Sequence, residues 1–184
     1  AEDPSKFIIW ASPELNFADG HDGWLGYKID WRDYNRQMPM IRRVRDQLGL
    51  QNKILLGVHA NLLIGYYGNG YTGLKGIQEY VEGFAQNDIM GFSHYYGYPK
   101  NSPYIPSHEQ GLTQLEALQK AWGKAKMIWE LVCNKAGKIL PFMFFEYSVG
   151  NVWKMDMPID KQGVTYTYEQ MVKNNKWVKG LNWY

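Results

Sequence analysis

Apolar residues are spread along the chain in two alternating patterns: short, mostly apolar runs, and longer stretches where they recur every three or four positions. The runs are residues 7–10 (FIIW), 53–58 (KILLGV), 88–92 (DIMGF), 139–145 (ILPFMFF) and 177–184 (WVKGLNWY). Helical spacing covers 33–48, where Tyr34, Met38, Ile41, Val44 and Leu48 form one stripe with Arg36, Arg42, Arg43 and Arg45 between them. It returns over 74–84 (Leu74, Ile77, Val81, Phe84) and from about 112 to 134 (Leu115, Leu118, Trp122, Ala125, Trp129, Val132). A short helix is predicted over 168–174, and Gly49 is placed to end the first helix.

Strand, loop and helix in repetition predict parallel strands covered on both faces, because only such strands read as continuous apolar runs. Doubly wound sheets and barrels both satisfy this. The stretches after the strands are long and those before them, such as LGLQN and NKAGK, are short. Polar and aromatic residues crowd the strand ends: Glu14, His59, Asn61, His94, Tyr95, Tyr96, Glu146 and Trp183. Such residues converge on the carboxyl face of a (β/α)₈ barrel. No glycine-rich phosphate fingerprint opens a helix, and GNGYTG at 68–73 reads as a turn. The expected fold class is therefore α/β, a (β/α)₈ TIM barrel of which residues 1–184 supply about strands four to eight, the C-terminal portion of one domain. Half a barrel leaves open edges and apolar surface. An N-terminal half-barrel, in the same gene or as a second chain, or self-association, is expected to cover them.

A formal charge of +2, with no basic stripe, argues against nucleic acid and an anionic membrane as partners. No apolar run approaches the ~20 residues of a membrane-spanning helix. Eight Trp and fourteen Tyr either build a large core or line a groove with flat rings. Cys133 is the single cysteine and reads as a buried, inert thiol. His21 and Asp22 lack further ligands at convincing spacing, so no metal site is expected. Localisation stays open, with secretion favoured.

The chemistry centres on two carboxylates. Glu14 follows the first run just past Ser12-Pro13, and Glu146 follows FMFF directly. A carboxylate after so apolar a run is costly unless it is paired or used. Two glutamates at the ends of non-adjacent parallel strands can face each other across a barrel mouth, which is the layout of glycoside hydrolysis.

With these residues the chain resembles the C-terminal half of a clan A glycoside hydrolase. ASPELNFADG followed by Trp24 is similar to the strand-four segment of the family 26 mannanase-like enzymes. KILLGVHAN resembles their strand five, DIMGFSHYYG strand six, PFMFFEYSVG strand seven and WVKGLNWY strand eight. The resemblance implies a retaining hydrolase of β-linked polysaccharide or oligosaccharide, with Glu14 as acid/base and Glu146 as nucleophile. It also implies a hydrogen bond to the nucleophile from His94 or Tyr96, or from Tyr95 if the register is off by one. His59 and Asn61 either contact sugar hydroxyls or serve loop hydrogen bonding. Trp183 is a sugar floor or a core residue, Trp24 or Trp31 a stacking wall, and Asn16 a further substrate contact. The chain departs from the clan at Pro13, where members carry Asn or, in family 26, His. A non-catalytic carbohydrate-binding or structural protein on the same scaffold is the rival reading, and a flavodoxin-like domain a weaker one.

Overall fold

The computed structural model describes residues 7–10, 31–61, 74–95, 113–148 and 161–183. In chain order these form β1 (Phe7–Trp10), α1 (Trp31–Gln47), β2 (Ile54–Asn61), α2 (Leu74–Phe84), β3 (Ile89–Tyr95), α3 (Gln114–Ala136), β4 (Phe142–Ser148), α4 (Lys161–Lys173) and β5 (Val178–Trp183). The strands make one five-stranded sheet in the order β1-β2-β3-β4-β5. All four neighbouring pairs are parallel, as the apolar runs predict.

Element limits differ from the apolar runs in an instructive way. β3 continues to Tyr95 and β4 to Ser148, so Glu146 lies within its strand rather than after it. A parallel ladder bonds backbone to backbone and extends wherever the neighbour still offers partners, whatever the side chains. Trp31 opens α1 instead of lying in the preceding loop, and α4 begins at Lys161 rather than at 168. The first turns of α4 escape an apolar-period reading because small residues, Gly163 and Thr167, form its buried contacts. The hydroxyls of Thr165 and Thr167 bond back to the carbonyls of Lys161 (3.0 Å) and Gly163 (2.7 Å), so these threonines are satisfied within the helix.

Leu56, Val58, Met90, Phe92, Phe142, Phe144 and Val178 alternate along the strands and are buried with Tyr34, Met38, Tyr80, Phe84 and Trp122 of the helices. Among the described residues, Tyr34, Tyr80, Trp122, Tyr147 and Trp177 of the aromatic load are core. Trp122 lies 4.8 Å from Phe144, and Phe142 meets Phe144 edge-on at 5.1 Å, centroid to centroid. Cys133 is buried as expected; burial raises its pKa, and the Leu140 N–H bonds its sulfur at 3.3 Å.

One expected stripe is overturned. On α1 only Tyr34 and Met38 enter the core, while Val44 and Leu48 are 54% and 64% exposed and Ile41 also faces solvent. Arg45, two turns beyond Met38, takes the inward position at 6% exposure. The reason is Asp88, at the foot of β3, which pairs with Arg45 and accepts the Leu56 N–H at 2.9 Å. Arg45 also donates to the Ile54 carbonyl (3.2 Å), and Arg42 and Lys138 stand 3.6 and 3.9 Å from Asp88. Burial alone would lower the pKa of Arg45, but its bonds to Asp46 and Asp88 outweigh that and raise it. Ile89, at the start of β3, is buried at 8% exposure.

Local motifs set two of the helix ends. Gly49 ends α1 at φ +67, and its N–H meets the Asp46 carbonyl at 3.0 Å, as predicted for a helix-ending glycine. Thr113 and Glu116 form a reciprocal cap at the start of α3, where Thr113 N–H donates to the Glu116 carboxylate at 2.7 Å.

Candidate active site at the carboxyl ends of the strands

With all strands parallel, their carboxyl ends lie together on one rim. The register sorts that rim into rows. Asn61 pairs with Ser93, and Ser93 with Glu146, so these three positions lie side by side on β2, β3 and β4. The next row runs His94, Tyr147, Trp183 across β3, β4 and β5. Tyr95 pairs with Ser148 one step further out. His59 sits two steps deeper than Asn61, opposite Gly91.

Between Phe144 and Glu146 the register shifts: Phe92 pairs with Phe144 but Ser93 pairs with Glu146. Phe145 is thus an extra residue in β4, a β-bulge. Its effect can be read from the neighbours. Phe142 and Phe144 face the helices, and in a regular strand position 146 would share that parity. Instead the helix-facing position after Phe144 is Tyr147, which is completely buried. The bulge puts position 146 in the row of Asn61 and Ser93 and leaves Tyr147 as the next helix-facing residue. The same parity distinguishes the aromatic candidates. His94 and Trp183 share the row of Tyr147, whereas Tyr95 keeps the parity of Gly91 and Ser93.

Tyr147 is fixed from the helix side. Trp122 of α3 donates its indole N–H to the phenol oxygen at 2.9 Å, and that oxygen lies 2.7 Å from Thr167 Oγ1 of α4. Thr167 gives its own proton to the Gly163 carbonyl. The Tyr147 O–H therefore donates to Thr167, and each hydrogen in the chain Trp122, Tyr147, Thr167, Gly163 is used once. Burial pushes the phenol's pKa up to about 12, against the lowering effect of these two partners.

The structure thus brings His59, Asn61, His94, Tyr95, Glu146 and Trp183 to one rim. Glu14, Asn16, Trp24 and Tyr96 lie outside the described residues, so the Glu14–Glu146 separation does too. Ser93 and Tyr147 were not singled out by the sequence reading. Ser93 carried a signal, one position past the DIMGF run; the role of Tyr147 rests on Trp122 and Thr167, 25 and 20 residues away. Among the described residues no group of three or more His, Cys, Asp or Glu could hold a metal ion.

No family model matches the chain, and no curated protein matches its sequence. Among solved structures, the crystal structure of an endo-laminarinase from Formosa Hel1_33_131 superposes with a TM-score of 0.51 at 12% identity. The match covers 96% of this chain and 48% of the other, so the chain spans about half the length of that neighbour. The likeness is one of fold alone, to a glycoside-hydrolysing enzyme. The expected link to family 26 finds no matching family model and stays at the level of element order.

Proposed function

We propose that the protein is a retaining glycoside hydrolase acting on β-linked polysaccharide or oligosaccharide, with Glu146 as nucleophile and Glu14 as acid/base. The observation that carries this reading is the bulge at Phe145, which sets the glutamate after an apolar run in the row of Asn61 and Ser93 at the strand ends. Bulges of this kind recur beside active sites, where they re-aim a side chain. The likeness in fold to an endo-laminarinase over nearly the whole chain supports the same class.

In this mechanism Glu146 attacks the anomeric carbon and forms a glycosyl-enzyme, while Glu14 protonates the leaving oxygen and then activates water. Of the three residues expected to steady the nucleophile, Tyr95 is preferred over His94 because it keeps the parity of the Ser93 row; Tyr96 lies outside the described residues. Asn61, beside Ser93 in the row of Glu146, is the preferred contact for a sugar hydroxyl. No cofactor is required by this chemistry.

The same reading makes the sheet the later part of a (β/α)₈ barrel. Among the described residues β1 and β5 each pair with one neighbour, and Met40 and Val44 of α1 and Leu48 just past its end face solvent. An N-terminal half-barrel closing on these edges would supply the remaining wall of the cleft.

The test is hydrolysis of a polysaccharide panel including laminarin and β-mannan by wild type and by Glu146→Gln. Wild-type cleavage that falls about a thousandfold in the variant supports the enzyme. Binding without cleavage in both would favour the non-catalytic carbohydrate-binding reading, for which Pro13 before Glu14 speaks.

A further inference from the structure

The bulge that carries Glu146 has no support in its own local sequence. FMFFEYS contains neither glycine nor proline, and nothing in it prefers the extra residue at 145 over a regular ladder. The alternative register is close at hand: pairing Phe145 with Ser93 would put Glu146 opposite His94, in the helix-facing row. A one-residue slip of this kind exchanges the two faces of a strand from that point on.

One residue after Glu146, the strand is attached to two different helices through a single side chain. Tyr147 accepts from Trp122 of α3 and donates to Thr167 of α4, at 2.9 and 2.7 Å. Its ring also packs on the core, 5.0 Å from Phe144 and 6.3 Å from Trp122 between centroids. In the slipped register Tyr147 would leave the helix-facing row. The buried indole N–H of Trp122 would then lose this acceptor, which costs more than an exposed hydrogen bond is worth.

We infer that Tyr147 is a positioning residue for the site: locked between Trp122 and Thr167, it holds the Phe145 bulge and so keeps Glu146 in the row of Asn61 and Ser93. The inference rests on the reading of Glu146 as nucleophile for its catalytic consequence, but not for its structural part. Tyr147 does not touch the substrate. It acts by fixing the backbone that carries the glutamate, in the way a displaced catalytic group far from the reacting bond loses rate without losing affinity.

Two measurements on the full-length protein test it. The first is amide hydrogen exchange in wild type, Tyr147→Phe and Thr167→Val. Both variants keep side-chain volume, and Thr167→Val leaves the phenol in place if Tyr147→Phe fails to fold. Exchange at Phe145, Glu146 and Tyr147 is expected to quicken at least tenfold in Tyr147→Phe and by less in Thr167→Val. Met90 and Phe92, deeper in β3, should change little. Unaltered exchange at 145–147, or a uniform rise across β3 and β4, overturns the inference.

The second is steady-state kinetics on whichever glycan wild type cleaves. Tyr147→Phe should lose about 100-fold in kcat with KM within twofold. Its pH profile should show a shifted limb for the group that must be ionised. Unchanged kcat, or a rise confined to KM, also overturns it. If wild type cleaves nothing, or Glu146→Gln stays fully active, the nucleophile reading fails instead, and the exchange experiment alone decides whether Tyr147 holds the bulge.

Discussion

Tyr34 and Gly83 are in such close contact that any β-carbon at position 83 must displace its neighbours: built there, it would stand 2.5 Å from Cδ1 and Cε1 of the tyrosine ring. The neighbouring Asn35 adds to the contact by accepting the Gly83 N–H at 2.8 Å and donating to the Glu79 carbonyl at 2.6 Å. Together these fix the approach of α1 to α2. Gly83→Ala should force the ring aside and cost about 1–3 kcal/mol, the usual range for overpacking. Urea unfolding would show it as a lower midpoint with an unchanged slope. A midpoint equal to wild type would mean that the helices separate freely.

The ion cluster at the foot of the sheet gives an asymmetric expectation. Asp88→Ala removes a main counter-charge of a guanidinium that is 6% exposed. It should cost roughly 3 kcal/mol, because a buried charge left without a partner is expensive. Arg45→Met should cost less, since Asp88 keeps the Leu56 N–H and has Arg42 and Lys138 within 4 Å. Equal losses would show that the pair, and not the stranded charge, sets the energy.

Alkaline pH should unfold the protein through its tyrosines. Burial raises the pKa values of Tyr34, Tyr147 and Tyr166 above their ordinary value of 10.0. Between that value and the folded pKa the unfolded chain has lost protons that the native state keeps, so stability falls as pH rises. Each strongly buried tyrosine contributes a slope of about 1.4 kcal/mol per pH unit in this window. For Tyr147 it opens near pH 10 and closes near pH 12. Unfolding free energies measured from pH 9 to 12 should decline, and less steeply in Tyr147→Phe.

If Glu14 and Glu146 work on one bond with retention, their carboxyl groups lie roughly 5–5.5 Å apart in the folded protein. The product released first would then keep the anomeric configuration of the substrate, which proton magnetic resonance during the first turnovers reads directly. Inverted product would place the carboxyls nearer ~6.5–9.5 Å and remove the glycosyl-enzyme from the mechanism.

Closure of the sheet by further strands predicts how the 184-residue chain behaves alone. Sedimentation should find it associated, and Val44→Glu with Leu48→Glu should shift it toward monomer, since both side chains, on and just past the end of α1, are more than half exposed. A cooperative, well-folded monomer at low concentration would show that the five strands suffice.

What the sequence made legible and what it hid follow from the range of the interactions involved. The strand order and parallel sense could be read because each strand holds a short, mostly apolar run, and Gly49 could be read because ending a helix in the left-handed region is a local property. The α1 stripe misled because Ile41, Val44 and Leu48 have the right spacing, while Arg45 is drawn inward by Asp88, 43 residues away. The glutamate at 146 stood out, but the extra residue that sets its row did not. Its cause lies on α3 and α4, in partners that no window around FMFFEYS contains.

The strand order, finally, is also the order of synthesis. Each strand after the first joins the edge left by the one before it, and no described strand waits for a partner made much later. A nascent chain can therefore add β/α units one at a time as they leave the ribosome. The Tyr147 anchor is an exception to this sequence, because Thr167 of α4 emerges after β4 has already paired with β3. The register of Glu146 would then be the last feature of the rim to be set, and a stall before α4 would leave a sheet of the right topology with an unfinished site.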